Sequence, residues 1–326
     1  MSPEQLECGV MAASAGNHAQ GVAVAASKLR AKATIVMPRT TPSIKVDAVR
    51  NLGARVVLHG DSYDEAAHHA MEEAEAKGQT YVHPFDDPDI IAGQGTVGME
   101  IVRQHQAPLD ALFVPVGGGG LLAGVAAYVT YVWPGTRVIG VEPEDAACLK
   151  LALQRGRRDT LPEVGLFADG CAVAQVGKEP FRIIRETVSE VITVTTDEMC
   201  AAIKDIFEDT RSIAEPAGAL ALAGLKKYVE QGDRRREDLL AIVSGANTNF
   251  DRLRYISERS EIGEHREAVI SVTIPERPGS FRKFCSALGK RNITEFNYRY
   301  SGVSSAQVFV GLSITPRGDD LAGLLA

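Results

Sequence analysis

The chain has 326 residues, 45% of them hydrophobic, and a formal net charge of −7 at pH 7. This length allows a large core and predicts two domains, whereas the acidic balance argues against nucleic acid or an anionic membrane surface as the main partner. The five cysteines form no C-x-x-C pair and the seven histidines no H-E-x-x-H pattern, so we expect no disulfide framework, no bound metal and a reducing compartment. The sequence shows neither a signal peptide nor an apolar run long enough to cross a bilayer. We therefore expect a cytoplasmic protein, or a plastid stromal one if the source is a plant or alga.

Short apolar segments alternate with helical patterns from Val10 onward. This alternation predicts an α/β fold with a twisted, mostly parallel sheet and helices on both faces. Capping-box sequences at 62–65 and 195–198, and a capping serine at Ser43, mark helix starts, and 155–170 is predicted to be irregular. The predicted strands are 10–13, 34–37, 55–58, 81–83, 113–116, 138–141, 191–194 and a buried strand at 239–243. The predicted helices are 17–30, 43–51, 63–77, 90–104, 121–132, 145–154, 196–210 and 216–229.

The pattern changes near Glu264, after which apolar and polar residues alternate as in an antiparallel sheet with one solvated face. This change predicts a first domain over 1–263 and a second, α+β domain over 264–326. The second domain follows part of a β-α-β-β-α-β order and stops before the last helix and strand. Its predicted strands are 268–274, 293–300 and 306–314, with a helix at 281–288 and the start of another at Asp320.

Four consecutive glycines join a buried strand to an apolar helix in the segment FVPVGGGGLLAG, residues 113–124. Without a Cβ, the backbone N–H groups of these glycines can converge on a phosphate at the positive end of the helix. A plain turn would need only one or two glycines. We therefore predict an anion-binding loop, formed by Gly117, Gly118, Gly119 and Gly120.

Glycine-rich loops of this kind also bind nucleotides, in Walker loops and in dinucleotide folds. A Walker loop is excluded because no G-x-x-x-x-G-K-[ST] segment is present. A dinucleotide fold stays possible from the loop alone, since Gly118, Gly120 and Ala123 fit the G-x-G-x-x-G/A spacing and Glu142 follows at the end of a strand.

Two further loops follow predicted strands. One is SAGNHAQG, residues 14–21, and the other is SGAN, residues 244–247. Ligands in open α/β sheets bind beyond the carboxyl ends of the strands. We therefore expect both loops to meet the tetraglycine loop at one edge of the sheet.

Seven segments, taken in order, resemble the threonine dehydratases, pyridoxal-phosphate enzymes with the tryptophan-synthase-β fold. The resemblance covers nearly the whole chain, and SAGNHAQG followed by GGGG is highly specific. The alternating segment from residue 264 is similar to the family's ACT-like regulatory domain. The segments are SAGNHAQG, DDPDIIAGQGT, VPVGGGGLLAG, GVEPEDA, GLFADG, AEPAGALALAG and SGAN.

The resemblance implies which residues bind the cofactor, pyridoxal 5'-phosphate. Asn17 would hydrogen-bond the phenolic oxygen of the ring, and Ser244 would face the ring nitrogen. Without the resemblance, Asn17 is equally well explained as a helix cap and Ser244 as a turn residue. The residues implied to hold the phosphate are Gly117, Gly118, Gly119, Gly120 and Leu121.

The resemblance also implies a site for the substrate carboxylate at the start of the first long helix. Ser14 and the loop of Ala15, Gly16 and His18 would receive it at the helix N-terminus. Ser14 alone is equally consistent with a helix cap. The resemblance also implies that Glu215 lies near this edge.

The implied reaction is the dehydration and deamination of L-threonine to 2-oxobutanoate and ammonia, the first step of isoleucine biosynthesis. L-serine dehydration is an alternative, and so is a non-catalytic regulatory or fragment protein derived from the enzyme. The implied partners are the amino-acid substrate, an isoleucine or valine effector, and further copies of the chain in a homo-oligomer.

The chain departs from the family pattern at its amino terminus. In the family, the lysine that forms the Schiff base lies in a segment resembling S-F-K-x-R-G-A, and no lysine of this chain stands in such a motif. We therefore expect a polypeptide truncated at both ends that binds the cofactor at most weakly and is inactive alone.

Overall fold

The computed structural model describes residues 1–232, 234, 236–250, 252–264, 266–300 and 305–314. The helices are α1 (Pro3–Cys8), α2 (Asn17–Leu29), α3 (Ser43–Asn51), α4 (Tyr63–Lys77), α5 (Pro88–Gln104), α6 (Gly120–Val132), α7 (Cys148–Arg155), α8 (Lys178–Thr187), α9 (Thr196–Thr210), α10 (Pro216–Glu230), α11 (Arg252–Gly263) and α12 (Ser280–Leu288). The strands are β1 (Val10–Ala13), β2 (Ala33–Met37), β3 (Arg55–Leu58), β4 (Thr80–Tyr81), β5 (Ala111–Pro115), β6 (Arg137–Pro143), β7 (Glu190–Val194), β8 (Leu239–Ala241), β9 (Glu267–Pro275), β10 (Ile293–Tyr300) and β11 (Ser305–Ser313).

The chain divides into two compact units. The first comprises Met1–Val194 and Ala214–Asn247, and the second comprises Thr195–Ile213 and the chain from Thr248 onward. Among the described residues, the first unit has two parallel four-stranded sheets, with strand orders β3-β2-β1-β4 and β7-β6-β5-β8. The predicted α/β class is confirmed. The division into two sheets was not predicted.

Three loops follow the carboxyl ends of parallel strands, and we call them the motif loops: the SAGNHAQG loop, the tetraglycine loop and the SGAN loop. β5 lies between β6 and β8, with Phe113 in register with Ala241, and β1 lies between β2 and β4. The loops that begin at Ser14, Gly117 and Ser244 start one, two and three residues after the ends of β1, β5 and β8. These positions are the usual location of ligand sites in α/β folds.

Glycines allow α5 and α6 to cross at close distance. A Cβ at Gly124 would lie 2.2 Å from the carbonyl oxygen of Ile91, and one at Gly95 would lie 3.1 Å from the carbonyl oxygen of Gly124. α6 is buried along most of its length. Its N-terminus, where the tetraglycine loop ends, is therefore held firmly by α5.

The second unit combines helices with an antiparallel sheet of order β10-β11-β9. The predicted capping box at α9 is confirmed, since Thr195 accepts from the N–H of Glu198 and Glu198 accepts from that of Thr195. The predicted helix start at Asp320 lies outside the described residues. The predicted alternation on β11 is confirmed by the complete burial of Ala306, Val308, Val310 and Leu312.

Helices α8 and α11 were not predicted. The carboxylate of Asp86 accepts from the N–H groups of Lys178 and Glu179, at 2.8 Å each, and so caps α8 from a distant part of the sequence. α11 is poor in apolar residues, but the Lys204 ammonium of α9 lies 2.7 Å from Glu261. Both helices depend on partners that a local sequence pattern does not contain.

The helices predicted at 43–51 and 63–77 have the predicted bounds, but two predicted caps and one predicted strand were wrong. Ser43 is the first residue of α3 and does not cap it. Ser62 caps α4 by accepting from the N–H of Glu65, but the Glu65 carboxylate accepts from Asp61 instead of completing the box. The predicted buried strand 239–243 is shorter and only half-buried, because β8 lies at the edge of its sheet.

Candidate functional site

The tetraglycine loop forms a cradle of backbone N–H groups between β5 and α6. Gly119 has φ 90°, in the left-handed region that favours glycine, and is the N-cap of α6. Within the described part of the chain, the N–H groups of residues 117–121 have no hydrogen-bond acceptor. These donors lie at the positive end of α6, whose first turn has no acidic residue. The arrangement fits a phosphate group.

Other parts of the protein occupy the space that a Cβ at each of these glycines would need. A Cβ at Gly118 would lie 2.2 Å from Cγ of Phe85, and one at Gly120 would lie 3.0 Å from Cβ of Phe85. Packing therefore excludes a Cβ at Gly118 and leaves little room for one at Gly120. A Cβ at Gly117 would lie 3.0 Å from Cα of Cys171, and one at Gly119 would lie 3.0 Å from Cβ of Pro180.

The loop after β1 places Asn17 against the chain segments that follow β8 and precede α10. Asn17 Nδ2 donates to Glu215 Oε1 at 3.4 Å, and Asn17 Oδ1 accepts from Asn247 Nδ2 at 3.2 Å. Glu215 Oε2 accepts from the backbone N–H of Asn247 at 3.0 Å. The asparagine loop and the SGAN loop are therefore joined, and Asn17 itself is exposed to solvent.

The predicted carboxylate-binding residues lie together at the start of α2. Ser14 Oγ accepts from the N–H of Gly16 at 3.1 Å, with half-buried Ala15 between them. His18 Nε2 lies 3.1 Å from the carbonyl oxygen of Val82, and burial lowers the pKa of His18. The His18 ring therefore braces the loop as a neutral imidazole, while the Ser14 hydroxyl keeps its own proton available to donate.

Ser244 is exposed, and its hydroxyl donates to the carbonyl oxygen of Ala217 at 3.4 Å. No hydrogen bond among the described residues joins the tetraglycine loop directly to Ser244 or Asn17. The connection runs through residues 170–171, where a Cβ at Gly170 would lie 3.0 Å from Cβ of Ala217. The structure thus pairs two loops directly and links the third by packing.

Glu142 is completely buried at the end of β6. Its two carboxylate oxygens accept from the N–H groups of Leu149 and Lys150, at 2.8 and 2.9 Å. Burial raises the pKa of Glu142 to about 7, although these two hydrogen bonds lower it. Because both carboxylate oxygens accept from residues in the first turn of α7, that helix begins at Cys148 and not at the predicted residue 145. The same contacts make Glu142 unsuited to bind a ribose, which weakens the dinucleotide alternative.

Across the described ranges, no group of three or more His, Cys, Asp or Glu side chains is arranged to hold a metal ion. No helix in those ranges is long and apolar enough to span a membrane.

Two family models match the chain. Residues 4–245 match the model of the pyridoxal-phosphate dependent enzymes, and residues 258–325 match that of the C-terminal regulatory domain of threonine dehydratase. The structure of the processed form of threonine deaminase isoform 2 from Solanum lycopersicum is 49% identical in sequence. It superposes with a TM-score of 0.78 and covers 80% of this chain and 76% of that one. The chain belongs to the threonine dehydratase family of pyridoxal-phosphate dependent enzymes.

Two curated members of the threonine dehydratase family illustrate the extent of the match. The biosynthetic L-threonine dehydratase of Burkholderia multivorans is 57% identical over 97% of this chain and 63% of its own length. That of Escherichia coli is 55% identical over 97% of this chain and 61% of its own length. The chain thus spans about three fifths of the length of these relatives. The predicted family, its pyridoxal phosphate cofactor and the regulatory character of the second segment are confirmed.

Sequence reasoning missed two residues that shape the site of this threonine dehydratase family member. Phe85 packs against the tetraglycine loop, and Asp86 caps α8. The N–H of Gly177, just before α8, also donates to the carbonyl oxygen of Gly118 at 3.0 Å. Both residues lie in or beside the segment DDPDIIAGQGT, but nothing local to that segment shows what they contact.

Proposed function

We propose that the chain provides the cofactor-binding and substrate-binding loops of an enzyme that converts L-threonine to 2-oxobutanoate and ammonia, the first step of isoleucine biosynthesis. The observation that most supports this proposal is the tetraglycine cradle, with its run of N–H groups that have no acceptor in the described residues. The names of the similar dehydratases support threonine as the substrate.

In this proposal each loop binds one part of the cofactor. Asn17 hydrogen-bonds the phenolic oxygen of the ring, and its exposed amide suits that role. Ser244 faces the ring nitrogen, and its hydroxyl, now on Ala217, can rotate to a new partner. The phosphate is held by the N–H groups of Gly117, Gly118, Gly119, Gly120 and Leu121.

Bound pyridoxal phosphate supplies an electron-withdrawing ring that stabilises negative charge developing at Cα of the amino acid. The residues of the chain bind and orient the substrate for that chemistry. The N-terminus of α2 receives the substrate carboxylate, with Ser14, Ala15, Gly16 and His18 around it. A hydroxyl at Ser244 cannot keep the ring nitrogen protonated as a carboxylate would. This suits loss of the β-hydroxyl group better than transamination.

The remaining parts of the proposal concern regulation and assembly. We assign the catalytic part to residues 1–263 and an ACT-like effector domain, for isoleucine or valine, to residues 264–326. We further propose a homo-oligomer in the cytoplasm, or in the plastid stroma if the source is a plant or alga. The regulatory-domain match supports the effector domain, and the chloroplastic relative of Arabidopsis thaliana supports the plastid location.

A chimera tests the proposed reaction. The whole chain would replace the matched region of the Escherichia coli relative, and the formation of 2-oxobutanoate from L-threonine and of pyruvate from L-serine would be measured with added cofactor. We expect turnover of threonine above that of serine, with the parent enzyme as the control. A folded chimera that binds the cofactor but turns over neither amino acid would contradict the proposal. Faster turnover of serine would favour the serine dehydratase alternative.

The isolated chain gives a second test, through its lysines. We propose that none of them forms the Schiff base, so borohydride treatment of the chain with pyridoxal phosphate should label no single lysine. Specific reduction of the cofactor onto one lysine, located by peptide mapping, would overturn the prediction that the chain alone is inactive.

A further inference from the structure

Glu215 makes contacts that a helix-capping residue does not need. It is the N-cap of α10, yet its side chain makes no capping hydrogen bond to that helix. Glu215 as a whole is only 8% exposed to solvent. One carboxylate oxygen accepts from the Asn17 amide and the other from the backbone of Asn247. The side chain therefore connects two loops that are distant in the sequence and leaves its own helix uncapped.

Two glycines make room for this carboxylate. A Cβ at Gly245 would lie 2.1 Å from Glu215 Oε1, and a Cβ at Gly218 would lie 2.1 Å from the carbonyl oxygen of Gly245. That same carbonyl accepts from the Glu215 N–H at 3.1 Å. The backbone of the SGAN loop therefore packs directly against the carboxylate and fixes its position.

The charges around Glu215 act in both directions on its ionisation. Burial raises the pKa of Glu215 most strongly, and the nearby charge of Asp169 raises it further. The N–H of Asn247 and the positive charge of Lys45 lower the pKa of Glu215. Both carboxylate oxygens act as acceptors, Oε1 from Asn17 Nδ2 and Oε2 from the backbone N–H of Asn247, so the carboxylate faces the nitrogen of the Asn17 amide.

Asn247 completes the constraint from the other side. Its Nδ2 donates to Asn17 Oδ1 at 3.2 Å and so occupies the oxygen end of that amide. An asparagine amide nitrogen carries two N–H groups, and Glu215 takes one of them. The second N–H of Asn17 is left for a ligand, whereas an unconstrained amide presents either end.

We infer that Glu215 is a positioning residue, which fixes the Asn17 amide so that an N–H, and not the oxygen, meets the phenolic oxygen of the cofactor ring. This inference rests on the proposed function of Asn17. The group that acts on the cofactor is the Asn17 amide, and Glu215 acts only through it. Removal of the Glu215 carboxylate should therefore weaken the contact of Asn17 with the cofactor. In a variant that lacks the Asn17 amide, the same removal should leave cofactor binding unchanged.

A double-mutant cycle on the full chain tests this inference. The dissociation constant for pyridoxal phosphate and the absorption maximum of the bound cofactor would be measured for the wild type, Glu215→Gln, Asn17→Ala and the combined variant. Glutamine keeps the shape of the side chain, but while its oxygen accepts from the Asn247 N–H its nitrogen faces Asn17 and can only donate, which favours the opposite orientation of the Asn17 amide. We expect Glu215→Gln to raise the dissociation constant by about tenfold and to shift the absorption maximum, since a charge-assisted contact is disturbed. In the Asn17→Ala background we expect a change of less than about twofold.

The outcomes separate this inference from the proposed function. If the wild type binds the cofactor and Glu215→Gln matches it in affinity and spectrum, the positioning role is wrong. If Glu215→Gln weakens cofactor binding equally with and without the Asn17 amide, its role is merely structural and the positioning role is also wrong. If neither the folded wild type nor the folded chimera described above binds pyridoxal phosphate, the proposed function itself fails, and if only the chimera binds it, the cycle is measured in the chimera. Should circular dichroism show that Glu215→Gln is unfolded, Asn247→Ala removes the other constraint on Asn17 and must give the same pattern across the cycle.

Discussion

A methyl group at position 118 would overlap Phe85, and its effect tests whether the tetraglycine loop lies where the structure places it. In Gly118→Ala the new Cβ would be 2.2 Å from Cγ of the ring, whereas ordinary contacts begin at 3.4 Å. Gly118 does not have a positive φ, so alanine meets no backbone strain there. The ring or the loop must therefore move by about 1 Å.

The expected cost has a steric and a binding component. Overpacking of this kind costs about 1–3 kcal/mol of folding free energy, and each kcal/mol lowers the melting temperature by about 2–4 °C in a unit of this size. A displaced loop would also weaken a charge-assisted hydrogen bond to the phosphate, worth about 1.5–3 kcal/mol. We therefore expect the dissociation constant for pyridoxal phosphate to rise roughly ten- to hundredfold.

Absorbance titration with pyridoxal phosphate and thermal melts measure the two components. The matched control is Gly135→Ala, because nothing lies within 4 Å of a Cβ at that loop glycine. It should behave as the wild type. Relative to Phe85→Ala alone, the double variant Phe85→Ala with Gly118→Ala should show a recovery of part of both losses, since alanine lacks the Cγ and Cδ atoms that the methyl group would meet. Wild-type affinity in Gly118→Ala, or no recovery in the double variant, would refute the reasoning.

Three further predictions follow from the buried groups and the helix crossing. Since the pKa of Glu142 is raised from 4.5 to about 7, its contribution is fully present below pH 4.5 and is lost as the pH rises through 7. The free energy of unfolding should fall by about 3 kcal/mol over that interval, and an equally steep fall in Glu142→Gln would contradict this. Gly124→Ala should destabilise by about 1–3 kcal/mol because its Cβ would lie 2.2 Å from a carbonyl oxygen of α5, whereas Gly93→Ala, with open space around it, should stabilise α5 by roughly 0.5–1 kcal/mol. Equal melting temperatures for these two variants would be inconsistent with the helix crossing. Exposed Cys8 should react with a thiol reagent in the native state, but Cys148, whose pKa burial raises to about 12, should react only after unfolding. Early labelling of Cys148 in a peptide map would argue against its burial.

Features that depend on nearby residues could be predicted from the sequence. The capping box at Thr195 involves residues three apart, and the alternation along β11 reflects the two-residue period of a strand. The glycine run between a buried strand and a helix start likewise predicts an anion-binding loop on its own. These local signals were enough to give the α/β class and to locate the three motif loops.

Features that depend on distant residues could not be predicted in this way. α8 has its cap in Asp86, and the tetraglycine loop packs against Phe85. The contacts of Glu215 join Asn17 and Asn247, which are 230 residues apart. A helical or strand period gives no information about such pairs, because the fold alone brings them together.

The position of the phosphate in a crystal structure of the protein with pyridoxal phosphate tests the central claim most directly. We predict that its oxygens accept from the N–H groups of residues 117–121 and that the phenolic oxygen of the ring lies within hydrogen-bond distance of Asn17 Nδ2. A well-ordered cofactor bound elsewhere, with its phosphate away from the four glycines, would contradict that claim.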